Sequence, residues 1–98
     1  MEIAKKKEGN TLNLALTGRL DTTTAPQLEE VVKSELAGVS ELTFDFAQLD
    51  YISSAGLRVM LAAQKLMNTQ GKMKICNVCD EIKEVFEITG FNDILTIE

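Results

Sequence analysis

Ninety-eight residues suffice for one domain with a modest core, and a second domain is not expected. Ten basic residues against fifteen acidic ones leave a net charge of −5. This argues against a nucleic-acid backbone or an anionic membrane as the main partner, and low aromatic content without Trp argues against a base-stacking platform. No apolar run is long enough to span a membrane and the N-terminal residues show no signal-like segment, so a cytoplasmic protein is expected.

Residues 2–7 and 11–17 alternate apolar and polar side chains on either side of Glu8-Gly9-Asn10, the pattern of a β-hairpin. Leu12, Leu14 and Leu16 share one face. Thr24-Ala25-Pro26-Gln27 reads as a capping box with Pro in the first turn. The helix it opens sets Leu28, Val31, Val32, Glu35 and Leu36 at helical spacing and stops at Gly38. A strand over 42–46 turns Leu42, Phe44 and Phe46 inward and Asp45 outward. A second helix covers about 54–69 and closes at Gln70-Gly71. Met73 and Ile75 alternate with Lys72 and Lys74 in a short strand. A third helix over about 79–89 carries Ile82, Val85, Phe86 and Thr89 on one stripe and ends at Gly90, and 94–97 reads as a short last strand.

Strand–helix alternation after the hairpin implies parallel pairing through right-handed crossovers. Each strand is apolar on one face only, unlike a parallel sheet covered on both sides. The expected fold class is therefore α/β: a mixed, mostly parallel sheet of about five strands starting with a β-hairpin, the helices packed mainly on one face.

Catalysis is not expected. Without histidine there is no Ser-His-Asp or Cys-His arrangement, so Ser53 and Ser54 lack the usual base. Lys65 lies about 16 Å along the helix, too far to replace it. The glycines are scattered singly and form no phosphate cradle. Asp21 and Asp50 end strands, where α/β ligand sites gather; Asp21 also suits an Asx turn into the first helix, and Asp45 a solvated sheet face. Cys76-x-x-Cys79 has the spacing of a redox pair or half a zinc site, yet no histidine or second pair completes it. Two reduced, half-buried thiols are expected, with no cofactor and no metal.

Leu16-Thr17-Gly18-Arg19-Leu20-Asp21, Asp50-Tyr51-Ile52-Ser53-Ser54-Ala55-Gly56-Leu57-Arg58-Val59 and Glu84-Val85-Phe86-Glu87-Ile88-Thr89-Gly90-Phe91 together resemble the STAS domain family, in particular the bacterial anti-sigma factor antagonists. The resemblance covers residues 1–98 and implies regulation by partner exchange. The partner it implies is an anti-sigma factor that is also a serine kinase of the histidine-kinase-like ATPase superfamily; phosphorylation of one serine breaks the complex and a PP2C-type phosphatase restores it. The family's phosphorylated serine falls on Ser54. Sporulation and stress members carry Asp just before it, where this chain has Ser53, which makes Ser53 the second candidate. The implied partner-binding residues are Asp21, Thr22, Ser53, Ala55, Gly56, Leu57, Arg58 and Leu61.

Physical chemistry is consistent with such a switch. A phosphate adds about −1.5 to −2 of charge; a helix N-terminus tolerates it, whereas an apolar interface does not. Ser53 reads as the local cap of the second helix. Leu57, Val59, Met60, Leu61 and Ala63 wrap more of that helix than one core stripe needs. Either it is a central helix with neighbours on both flanks, or part of it, around Leu57, Arg58 and Leu61, is a docking patch. The alternative function is a STAS module that senses a nucleotide or other anion at the same helix end, or a scaffold, without phosphorylation.

Overall fold

In the computed structural model, which describes Met1–Glu98, the hairpin forms as expected. Strands β1 (Glu2–Glu8) and β2 (Thr11–Leu20) pair antiparallel through a two-residue turn in which Gly9 has φ +60°. Helix α1 (Ala25–Glu35), β3 (Glu41–Ile52), α2 (Ser54–Asn68), β4 (Lys72–Cys76) and α3 (Asp80–Thr89) follow, and a single 3-10 turn, Phe91–Asp93, comes after them. The sheet order is β1-β2-β3-β4, with β2, β3 and β4 mutually parallel.

One sheet face carries the core. Leu12, Leu14, Leu16 and Leu20 of β2, Leu42, Phe44 and Phe46 of β3, and Met73 and Ile75 of β4 are all buried. They pack in one cluster with Leu28 and Val32 of α1, Met60, Ala63 and Met67 of α2, and Ile82 and Phe86 of α3. Residues of opposite parity, such as Asn13, Lys72 and Lys74, are exposed, so the helices do cover one face and leave the other to solvent. Phe86 reaches across to Phe46, ring centroids 6.5 Å apart, and Phe46 meets Phe44 edge-on at 6.3 Å.

Three expectations change. The fifth strand reduces to one parallel bridge, Ile75 to Ile97, made by Ile75 N–H to the Thr96 carbonyl and Glu98 N–H to the Ile75 carbonyl. A 3-10 turn occupies residues that a longer strand would need, and the sheet proper has four strands. The Thr24–Gln27 capping box does not close: Thr24 Oγ1 instead accepts from Asp21 N–H at 2.8 Å and donates to the Arg19 carbonyl at 2.8 Å. Finally, β3 runs six residues past Phe46, to Ile52.

The cause of that extension is two β-bulges. The pairing advances from Ala15–Asp45 to Thr17–Gln48 and from Gly18–Leu49 to Arg19–Tyr51, so β3 twice spends one residue more than β2. Buried positions accordingly shift from every second residue (Leu42, Phe44, Phe46) to every third (Leu49, Ile52). Asp45 Oδ1 accepts from Ala47 N–H at 2.9 Å and steadies the first bulge. Gly18, at φ +105°, lies beside the second. Bulges increase local twist and re-aim side chains, and here they steer the end of β3 toward the start of α2.

Candidate functional site

The ends of β2 and β3 are tied together, which brings the two sequence motifs side by side. Ser53 N–H donates to the Leu20 carbonyl at 2.9 Å. Past β2 the chain folds on Asp21, whose Oδ1 accepts from Thr23 N–H (3.0 Å), Thr23 Oγ1 (2.7 Å), Thr24 N–H (3.2 Å) and Thr24 Oγ1 (3.3 Å). Its backbone carbonyl accepts from Thr24 and Ala25, so Asp21 starts α1 as the Asx-type turn expected of it. The hydrogen bond from the Thr23 hydroxyl, helped by the Thr23 and Thr24 amides, holds the carboxyl below its ordinary pKa of 3.8 against the opposing effect of desolvation.

The sign of the pH effect follows. A folded-state pKa below the unfolded one contributes stability above the unfolded value, and that contribution is lost as pH falls through the folded value. Asp21→Asn is therefore expected to flatten the stability–pH profile below about pH 4 while changing its slope little near neutrality, measured by urea unfolding across an acid series. A profile parallel to that of the parent protein would refute the role given to this carboxylate.

Ser53 is the N-cap of α2, extended at φ −99° and ψ 176°, and its hydroxyl accepts from Gly56 N–H at 3.4 Å. With Ser53 in that role, Ser54, the first helical residue, is exposed and makes no side-chain hydrogen bond within the fold. Arg58, one turn on, is also exposed and has no ion-pair partner, and no acidic residue occupies the first turn of α2. Between α1 and α2 runs a shallow groove of about 190 Å³, lined by Thr22, Ala25, Pro26, Glu29, Ala55, Arg58 and Val59. Ser54, Arg58, Thr22 and half-buried Ala55 thus form one accessible end of the molecule.

Two of the expected contact residues face elsewhere. Leu57 is 6% exposed and belongs to the core, and Gly56 is buried as well. Val59, Met60 and Ala63 are buried too, so most of the apolar excess of α2 is that of a central helix; Leu61 is half-buried and Ala62 exposed. A Cβ on Gly56 would sit 2.7 Å from Leu20 Cγ and 2.8 Å from Ile52 Cγ1, so the first turn of α2 rests directly on the ends of both central strands. Gly56→Ala gains about 1 kcal/mol of helix propensity and loses about 1–3 kcal/mol to overpacking. Because Leu20 and Ile52 are themselves buried and cannot give way, overpacking wins. A net loss of up to about 2 kcal/mol is expected by chemical denaturation; a variant more stable than the parent would contradict this packing.

Two residues without an assigned role in the sequence reading also belong here. The Arg19 guanidinium lies 4.2 Å from the centre of the Tyr51 ring, and Arg19 Nε is 3.8 Å from Asp21 Oδ2. The only available signal was their presence in the two motifs, because the bulges that set Arg19 opposite Tyr51 are invisible to periodicity. Asp50, one residue before, is exposed and has no ion pair. The cysteines have different surroundings: Cys79 packs against the core with Sγ 3.8 Å from the Leu49 carbonyl, whereas Cys76 stands beside Asp45 and Asn77. Burial, then the Asp45 charge, raises the Cys76 pKa above its ordinary 9.0, which keeps it a protonated thiol at neutral pH.

The chain is similar to known proteins. BtrV of Bordetella bronchiseptica is 36% identical over 99 residues, covering 99% of this chain and 85% of its own length. The anti-sigma-B factor antagonist of Listeria monocytogenes is 31% identical over 98 residues, covering 96% and 84%. Among solved structures, the anti-sigma factor antagonist SpoIIAA in its unphosphorylated form superposes with a TM-score of 0.79 at 16% identity, over 99% of this chain and 87% of its own. The Bacillus SpoIIAA structure in the phosphorylated form gives 0.77 at 17% identity, covering 99% and 91%. An anti-sigma factor antagonist from Mycobacterium paratuberculosis gives 0.88 at 16%, covering 98% and 83%. The STAS domain model matches residues 2–98, and with these relatives the match shows that the chain belongs to the STAS domain family.

Proposed function

We propose that this protein is an anti-sigma factor antagonist that binds an anti-sigma factor, itself a serine kinase, through the end of the fold bearing Ser54, and is released when that kinase phosphorylates Ser54. The observation that carries the reading is the division of labour between the two serines: Ser53 is consumed as the cap of α2, and Ser54 presents a free hydroxyl beside it. The Listeria relative and SpoIIAA bear the antagonist name, and SpoIIAA has been solved in a phosphorylated form. The chain resembles its two forms nearly equally, which supports a modification that leaves the fold alone. Thr22, Ala55, Arg58 and Leu61 flank Ser54 as contact residues, and Leu57 and Gly56 act by holding α2 in place. Asp21 directs one oxygen into its turn, leaving Oδ2 with Arg19 on the outside. A PP2C-type phosphatase completes the cycle, which we place in the cytoplasm.

The test is to incubate the protein with its kinase and ATP and to map the phosphate. Label on Ser54 supports the assignment, and label on Ser53 alone would sink it. Calorimetric titration with ATP and GTP in the absence of the kinase separates this reading from an anion sensor, because tight nucleotide binding by this chain alone would favour the sensor.

A further inference from the structure

The charge of this protein is not evenly spread. Between Asp80 and Asp93 lie five carboxylates (Asp80, Glu81, Glu84, Glu87 and Asp93) and one cation, Lys83, a net −4 out of −5 for the whole chain. The five ion pairs of the structure are Lys5–Glu35, Lys6–Glu8, Arg19–Asp21, Lys33–Glu29 and Lys74–Glu98, and none involves this segment. Half of the ten remaining carboxylates are thus paired, against none of these five. The last turn of α3 has no basic residue and contains Glu87, set against the negative end of the helix dipole. On the face of the helix that carries Glu81 and Glu84 stands Ile88, 78% exposed, one turn beyond half-buried Val85; past the helix come half-buried Phe91 and Ile94, 47% exposed. Asp80 and Glu81 lie in the first turn, where the dipole favours them, but stability is conceded farther along by Glu84 and Glu87, which have no ion pair, and by the uncovered Ile88. Two of the four exposed large apolar side chains of the chain, Ile88 and Ile94, fall in this segment, and breaches of local rules concentrate at functional sites.

We propose that this face of α3 is a second docking surface, separate from the Ser54 end, for a basic protein segment with one large apolar side chain. The apolar group would rest on Ile88, and its lysines or arginines would face Glu81, Glu84 and Glu87. Charge complementarity selects this occupant: an acidic segment or an anionic membrane is repelled. A second copy of the chain fits poorly, because most of its clustered lysines are already engaged, Lys5 with Glu35, Lys6 with Glu8 and Lys74 with Glu98.

The test uses the full chain, isotopically labelled for NMR, titrated with a synthetic amphipathic peptide of leucine and lysine with blocked ends. Amide shifts centred on residues 81–94, and affinity falling at least about tenfold in both Glu84→Gln/Glu87→Gln and Ile88→Ser, are expected. All these side chains are exposed, so the variants should fold, and the glutamine pair should melt no lower than the parent. Ser54→Asp should bind the peptide as the parent does, which separates this proposal from the Ser54 reading. Shifts centred on Glu29, Glu30 or Glu41, undiminished binding in Ile88→Ser, or self-association through α3 in sedimentation would each overturn it.

Discussion

Ser54→Asp is expected to melt at or slightly above the temperature of the parent protein and, on the proposed function, to lose affinity for the kinase proposed as its partner. The first half follows from local structure. The first turn of α2 contains no acidic residue, so its free N–H groups and dipole have no negative charge to balance. An anion there is worth about 0.3–1 kcal/mol. Arg58, without an ion-pair partner and four residues on, offers a further helical pair worth about 0.3–0.5 kcal/mol. The second half follows from desolvation. A charge brought into an interface built for a hydroxyl must shed water with no partner to receive it, at about 3–5 kcal/mol. That corresponds to on the order of a hundred- to several-thousand-fold in Kd. Phosphoserine, with about −1.5 to −2 of charge, should do at least as much. Thermal unfolding and calorimetry with the kinase measure the two halves separately. A lowered melting temperature would mean that Ser54 is structural, and an unchanged Kd would remove it from the interface.

The contrast between what periodicity reveals and what it hides is clearest in β3. From Leu42 to Phe46 the alternation is clean and the strand was legible. From Ala47 onward two bulges convert a period of two into three, and the pattern ceases to look like a strand although pairing continues to Ile52. The Arg19–Tyr51 contact depends on those same bulges, so the composition of the site was readable and its geometry was not. The two serines behaved differently. Capping is decided within one helical turn, and the reading of Ser53 as the cap holds in the structure. Leu57 is the converse, since whether a helical apolar residue faces the core or a partner depends on neighbours far away in the chain. Thr24 failed as a capping box for a third reason: Asp21, three residues earlier, takes the Thr24 N–H with a charged acceptor, the stronger hydrogen-bonding group, and its own N–H occupies the Thr24 hydroxyl.

Gly71→Ala is expected to cost more than any other single-methyl change in the chain. Read from sequence, Gly71 is a helix stop, and another small or flexible residue would serve nearly as well there. The structure gives a different reason. A Cβ at this position would overlap the Ser40 carbonyl oxygen and lie 2.6 Å from its carbon, so the obstacle is backbone. That carbonyl is in use, accepting from Lys72 N–H at 2.9 Å, while Ser40 N–H donates to the Asn10 carbonyl at 2.8 Å. The chain thereby fixes the starting register of β2, β3 and β4 in one place, where Thr11 pairs with Glu41 and Glu41 with Lys72. Making room for a methyl means moving β4 off β3 or breaking this chain of bonds. Ordinary overpacking costs about 1–3 kcal/mol, and a rigid backbone neighbour sets the expectation at about 3 kcal/mol or more. For a domain of this size that is a fall of roughly 12–24 °C in melting temperature, a large share of the 5–15 kcal/mol that about 100 residues usually hold. Ser54 lies at the opposite ends of these strands, so on the proposed function the folded fraction of Gly71→Ala should still accept phosphate. A variant that melts with the parent would show that the close approach at Ser40 does not exist in solution.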